Sequence, residues 1–166
     1  MSSRPEPWQA GPVAGIAPLL QPVAHALLNC REQLEVAIDG LSVDQLAARP
    51  AGAASIDYHV RHAIGSLDRL FTYARGEALS DSQREYLAAE SNTSGLSAYE
   101  LRQRFDDAVE KGLSQLRATD EASLTEARTI GRARLPSTVI GLLFHGAEHT
   151  ARHTGQAVTM AKIVRG

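Results

Sequence analysis

The stretch His145-Gly-Ala-Glu-His149-Thr-Ala-Arg-His153-Thr-Gly-Gln156 decides how this chain is read, because it spaces three of the six histidines at intervals of four. On an α-helix each such step turns about 40° and climbs about 6 Å, so the three rings share one face. Leu142, Gly146, Met160 and Ile163 fall in the same stripe as His149 and His153, which turns that face inward. An imidazole facing a core needs a partner, since an unsatisfied buried polar group costs about 1–3 kcal/mol. Hydrogen bonds satisfy such rings one at a time, whereas a divalent ion satisfies several together. A histidine on a second helix is what would favour the ion.

Working outward, the chain offers that second helix. Ile56, Val60, Ala63, Leu67, Leu70 and Ala74 recur with helical period, Ser55 is placed as N-cap and Gly76 as stop. This helix carries His59 and His62; periodicity alone sets His59 nearer the middle of the apolar stripe and His62 on its shoulder. Upstream, Ile16, Leu20, Val23, Leu27, Leu34, Ile38 and Leu41 predict a first long helix, with Pro18 and Pro22 in its first turns or kinking it. It holds His25 and Cys30, both read as packing or surface residues. Ser42-Val-Asp-Gln45 has the form of a capping box and predicts a short helical turn. Ser80 to Ala89 reads as a short peripheral helix inside a polar stretch. Ser97-Ala-Tyr-Glu100 is a second capping box and opens a third long helix, with Leu101, Phe105, Ala108, Val109, Gly112 and Leu116 on its stripe. Residues 119 to 135 read as an irregular connection without strands, and Pro136 suits the first position of the last helix. Arg128, Arg132 and Arg134 cluster in that connection, either as a solvated loop or as a basic rim for an anionic substrate.

Four long helices joined by polar connections predict an all-α four-helix bundle, a fold that assembles metal sites from facing helices. The 166 residues suit a single domain over 13–166, preceded by a Pro-rich extended leader over 1–12 with Trp8 packing back on the body. A net charge of −2 gives no footprint for nucleic acid or an anionic membrane. No apolar run approaches the ~18 residues of a membrane span, and the N-terminus has no apolar signal core. With the lone Cys30, these features lead us to expect a soluble cytoplasmic protein.

The segment from Ser55 through His62 to Leu70, taken with His149-Thr-Ala-Arg-His153-Thr-Gly-Gln156, resembles the DinB/YfiT-like superfamily of metalloenzymes over about residues 14–164. The resemblance implies a four-helix bundle holding a divalent metal, often zinc or nickel, on three histidines. One ligand follows the helix-opening serine by seven residues, which matches His62; the others form an H-x-x-x-H pair ahead of x-Gly-Gln, matching His149 and His153. His59 is then the fallback ligand, and His145 an extra ring beside the site or lining its pocket. Gln156, three residues after His153, is placed to orient a ring or a bound water. The chain has neither H-E-x-x-H nor E-x-x-H, so neither a zincin protease nor a di-iron carboxylate site is supported.

Three imidazoles leave an open position on the ion, as in catalytic sites. The resemblance implies an enzyme that transfers a small thiol such as bacillithiol or mycothiol to an electrophilic small molecule. The same site read as a hydrolase would activate water, and a third reading is a non-enzymatic, metal-binding, dimerising bundle. A homodimer is expected, with Phe71, Tyr73 and Phe144 as candidates for its face. Because histidines must be neutral to bind metal, loading is expected to fall toward about pH 6.

Overall fold

Apolar residues at helical period bury one stripe each, and four such stripes close around a common core. In the computed structural model, which describes residues 5–166, the elements are α1 (Gln21–Ile38), α2 (Val43–Ala47), α3 (Ile56–Ala74), α4 (Asp81–Ala89), α5 (Ala98–Ala118), β1 (Ala127–Ile130), β2 (Leu135–Thr138) and α6 (Val139–Arg165). The long helices α1, α3, α5 and α6 form the bundle. α6 packs against α3 and α1, and α5 packs against the other flank of each. Leu27, Leu34, Ile56, Leu67, Phe105, Leu113, Leu142 and Leu143 are among the buried side chains at the centre. Each such burial contributes about 1.5–3 kcal/mol.

Serines set the helix starts. Ser42 with Gln45, Ser80 with Gln83 and Ser97 with Glu100 each form a reciprocal capping box, and Ser55 Oγ accepts from Tyr58 N at 3.1 Å. Gly40 and Gly76, at φ of +70° and +77°, release the chain after α1 and α3. No helix among the described residues is long and apolar enough to cross a membrane.

The structure corrects several expectations. The first helix begins at Gln21 rather than near Ile16, because Pro18–Leu20 forms a 3-10 turn ahead of it. There the Gln21 amide bonds Val13 N at 2.7 Å, Val13 O at 3.0 Å and Ile16 O at 2.8 Å. Residues 119–135 are not strandless: β1 and β2 pair antiparallel, with Thr129 opposite Pro136. Pro136 thus sits in a two-stranded ribbon, where every strand is an edge and a missing N–H is tolerated. α6 opens at Val139, capped by Thr138 Oγ1 on Gly141 N at 3.1 Å. Residues 1–4 of the expected leader lie outside the described residues. Pro7–Gln9 is a 3-10 turn against α1, and Trp8 does not pack back; it is exposed and donates its indole N–H to Glu6 Oε2 at 2.7 Å. Phe71 is core, so it cannot belong to an outer face, whereas Phe144 is 59% exposed. Ile163, read as part of the inward stripe, is exposed as well.

Candidate metal centre

α3 and α6 run antiparallel in close contact, and a residue without a side chain allows it. A Cβ on Gly146 would lie 2.9 Å from Phe71 Cε1 and 3.4 Å from Leu67 Cδ1, closer than packed carbons tolerate. Within the next two turns of α6, the helices bring histidine against histidine. His62 Nε2 lies 3.0 Å from His149 Nε2, and His59 Nδ1 lies 3.0 Å from His153 Nδ1. One ring nitrogen from each of His62, His149 and His153 falls within 4.8 Å of the others. Tyr58, one turn before His62, lies parallel to its ring at 5.4 Å and edge-on to His153 at 6.5 Å.

The outer nitrogen of His62 is fixed from a third direction. Its Nδ1 is 2.7 Å from Glu90 Oε2, while Glu90 Oε1 accepts from Arg69 Nη1 at 2.6 Å. Glu90 is 3% exposed. Burial alone would raise its carboxyl, but the hydrogen bonds from His62 and Arg69 hold it below the ordinary carboxylate range. An ionised carboxylate only accepts, so His62 donates from Nδ1, and the neutral ring in that tautomer turns its Nε2 lone pair toward His149. This is the carboxylate–histidine arrangement that orients a metal-binding imidazole. The chain after α4 is pinned to α3 to make it possible. Arg61 donates to Ala89 O at 2.9 Å and to Asn92 O, and Asp57 accepts from Ser94 N at 3.1 Å and from its hydroxyl. Gly65 completes the fit, since a Cβ there would fall 2.3 Å from Glu90 Oε1.

The residues present fit a divalent ion. With His62 Nε2 a lone pair, His149 either donates to it or turns its own lone pair to a shared cation. His149 Nδ1 is buried with no hydrogen-bond partner among the described residues, so the rings do not satisfy one another by themselves. Burial first, and then neighbouring imidazoles, hold His153 down to about pH 4 and keep His149 and His59 below the ordinary imidazole value. Neutral rings are the form that binds a metal. Protonation of His153 therefore competes with metal nearer about pH 4 than at pH 6, and that of His149 below the ordinary imidazole range.

Other sequence candidates lie elsewhere. His59 stands behind His153 rather than within the three-ring group. His145 is on the rim, half exposed, with its ring 5.6 Å from His149 and Nδ1 3.4 Å from Glu148 Oε2. Gln156 is exposed on α6, and its side chain makes no hydrogen bond to the histidines among the described residues. Arg128, Arg132 and Arg134 do not rim the histidines. Arg128 Nε ties the hairpin to Ala74 O at 2.9 Å, at the far end of α3, roughly 18 Å along the helix from His62. Arg132 and Arg134 are exposed at the hairpin tip. His25 Nε2 lies 3.0 Å from Gly11 O. Cys30 is buried and its thiol is pushed up to about 11 by that burial, which leaves it unsuited to nucleophilic work.

Sequence reasoning missed Glu90, Arg69 and Tyr58. Glu90 sits in a polar stretch among other acids, and nothing in its local pattern separates it from them. The signal on offer was Gly65, a glycine inside a strongly periodic helix, which marks a close approach by something.

Comparison with known proteins agrees with this architecture. A family model described as the DinB superfamily matches residues 26–157, a span that includes Glu90 and all three clustered histidines. No curated protein matches the chain.

Proposed function

The chain belongs to the DinB superfamily, and on that premise we propose that it is a divalent-metal-dependent enzyme whose ligands are His62, His149 and His153. The observation that carries the reading is the convergence of three ring nitrogens within 4.8 Å while Glu90 fixes the tautomer of one of them. Bound there, a zinc or nickel ion would supply Lewis acidity, favouring the deprotonated form of a water or thiol nucleophile. The chain's own groups do the positioning: Glu90 accepts from His62 Nδ1, His59 stands on His153 Nδ1, and Tyr58 walls one side.

The reaction we propose is transfer of a small thiol to an electrophilic substrate in the cytoplasm. The buried, high-pKa Cys30 supports it, because the protein then offers no internal thiol and the nucleophile comes from solution. Turnover of an aryl halide with and without added small thiol, by wild type and Cys30→Ser, tests this. Thiol-dependent turnover equal in both is expected. Thiol-independent cleavage of an ester or amide would replace the reading with hydrolysis, and absence of both with a non-enzymatic, metal-binding, dimerising bundle. We also propose a homodimer, supported by the exposed Phe144; light scattering at tens of micromolar reporting a monomer would refute it.

A further inference from the structure

The far flank of α3 borders a cleft of about 470 Å³ between α3, α4 and α5, within the roughly 300–1,000 Å³ of small-molecule sites. None of the histidines lines it, and it is separate from the proposed metal centre. Its floor is apolar, made by Ile64, Leu67, Phe71, Ala108 and Gly112.

One buried charge faces this apolar space. Arg69 lines the cleft and is 9% exposed. A guanidinium has five N–H donors, and only Nη1, through Glu90 Oε1, has a hydrogen bond among the described residues. The other guanidinium nitrogens are not among the buried, unpartnered ones, so their donors keep access to solvent and stay available to a ligand. The other charges of the cleft do not take them up. Asp68 is engaged by Lys111 and by Gln83, and Arg75 by Glu77 and Gln115. Arg104, exposed at the rim, makes no ion pair among the described residues. Asp107 is the one lining carboxylate without an ion pair of its own; it is exposed at the mouth, where solvent screens it.

We infer that this cleft binds a small molecule with an apolar body and one carboxylate, anchored by the free donors of Arg69. The planar fork of the guanidinium matches a carboxylate in a way a lysine would not. The apolar floor sets the body of the ligand, and Arg104 at the mouth favours entry of a negative charge. Glu90 already offsets part of the Arg69 charge, so selectivity for the acid comes from hydrogen bonds rather than from net attraction.

Octanoate is a suitable probe, with octanol as its neutral counterpart, both titrated into the full chain by calorimetry and by amide chemical-shift mapping. Saturable one-to-one binding of octanoate is expected, with shifts at Ile64, Tyr86 and Ala108 and at least roughly tenfold weaker binding of octanol, the scale of a charge-assisted pair. Arg69→Met should lose the preference for the acid. Because that change also strands Glu90, Ala108→Phe serves as the second variant: it fills the cleft from a half-buried position and leaves the Arg69–Glu90 pair in place. It should weaken octanoate by a similar factor. Binding should be the same with and without a chelator. Undiminished binding by Ala108→Phe, loss of binding in the chelator, which would put the carboxylate at the histidines, or no saturable binding at all would overturn the proposal.

Discussion

The two flanks of α3 carry opposite kinds of polar chemistry. Toward α6 it presents His59 and His62, rings set against other rings, with one buried nitrogen of His149 left without a partner among the described residues. Toward α4 it presents Arg61 and Arg69, buried charges answered by backbone carbonyls and by Glu90. The contrast teaches that the histidine flank gathers rings around one shared point, whereas the arginine flank fixes one histidine through Glu90 and keeps the remaining donors of Arg69 toward the cleft. Glu90 belongs to both, with one oxygen on each side.

The sharpest way to break this comparison is to remove a charge from the arginine flank. Arg69→Ala leaves the buried Glu90 carboxylate half-paired, and such losses cost about 3–5 kcal/mol. Urea unfolding should show a fall of that order; a change under about 1 kcal/mol would mean the pair is far wetter than its burial implies. Glu90→Gln leaves one acceptor oxygen, which goes to the obligate donor Arg69, and turns its amide NH2 toward His62 Nδ1. Metal affinity should weaken by about 10–100-fold, as for other groups that orient a metal-binding histidine. Imidazole nitrogen spectra of the metal-free protein should also lose the Nδ1–H form of His62, a change that mere loss of stability would not produce.

These residues show how unevenly the chain could be read. Helices were legible because their stripes and serine caps are local: Ser42, Ser55 and Ser97 cap as their spacing predicts. The histidine pair on α6 was legible for the same reason, since a spacing of four puts both rings on one face. The choice between His59 and His62 was not. Both face α6, and what separates them is Glu90, 28 residues beyond His62. The hairpin escaped notice because four-residue strands, one containing proline, give too little alternation to stand out from a loop. The basic rim failed on distance, which no local pattern encodes.

Acid should separate the flanks more gently. Unfolded imidazole titrates near about 6.5, whereas folded His153 is lowered to about 4 by burial and its neighbours. As pH falls between these values the unfolded chain takes up protons that the folded chain refuses, so folding stability declines across that window and is complete above it. Metal-free protein should lose melting temperature steadily from about pH 6.5 to about pH 4. His153→Gln should flatten that slope; an unchanged slope would place the sensitivity elsewhere. At the small end, Arg132→Ala and Arg134→Ala should shift stability by no more than about 0.5 kcal/mol and leave metal content alone. Metal loss in either would bring the hairpin back to the site.

The central claim is that His62, His149 and His153 together hold one divalent ion. Metal per chain, measured by mass spectrometry after zinc or nickel loading and exhaustive dialysis, tests it most directly. The account predicts about one ion per chain for wild type and His25→Ala, and near none for His149→Ala or His153→Ala, each still helical by circular dichroism. Stoichiometric metal retained by both of those folded variants would contradict it.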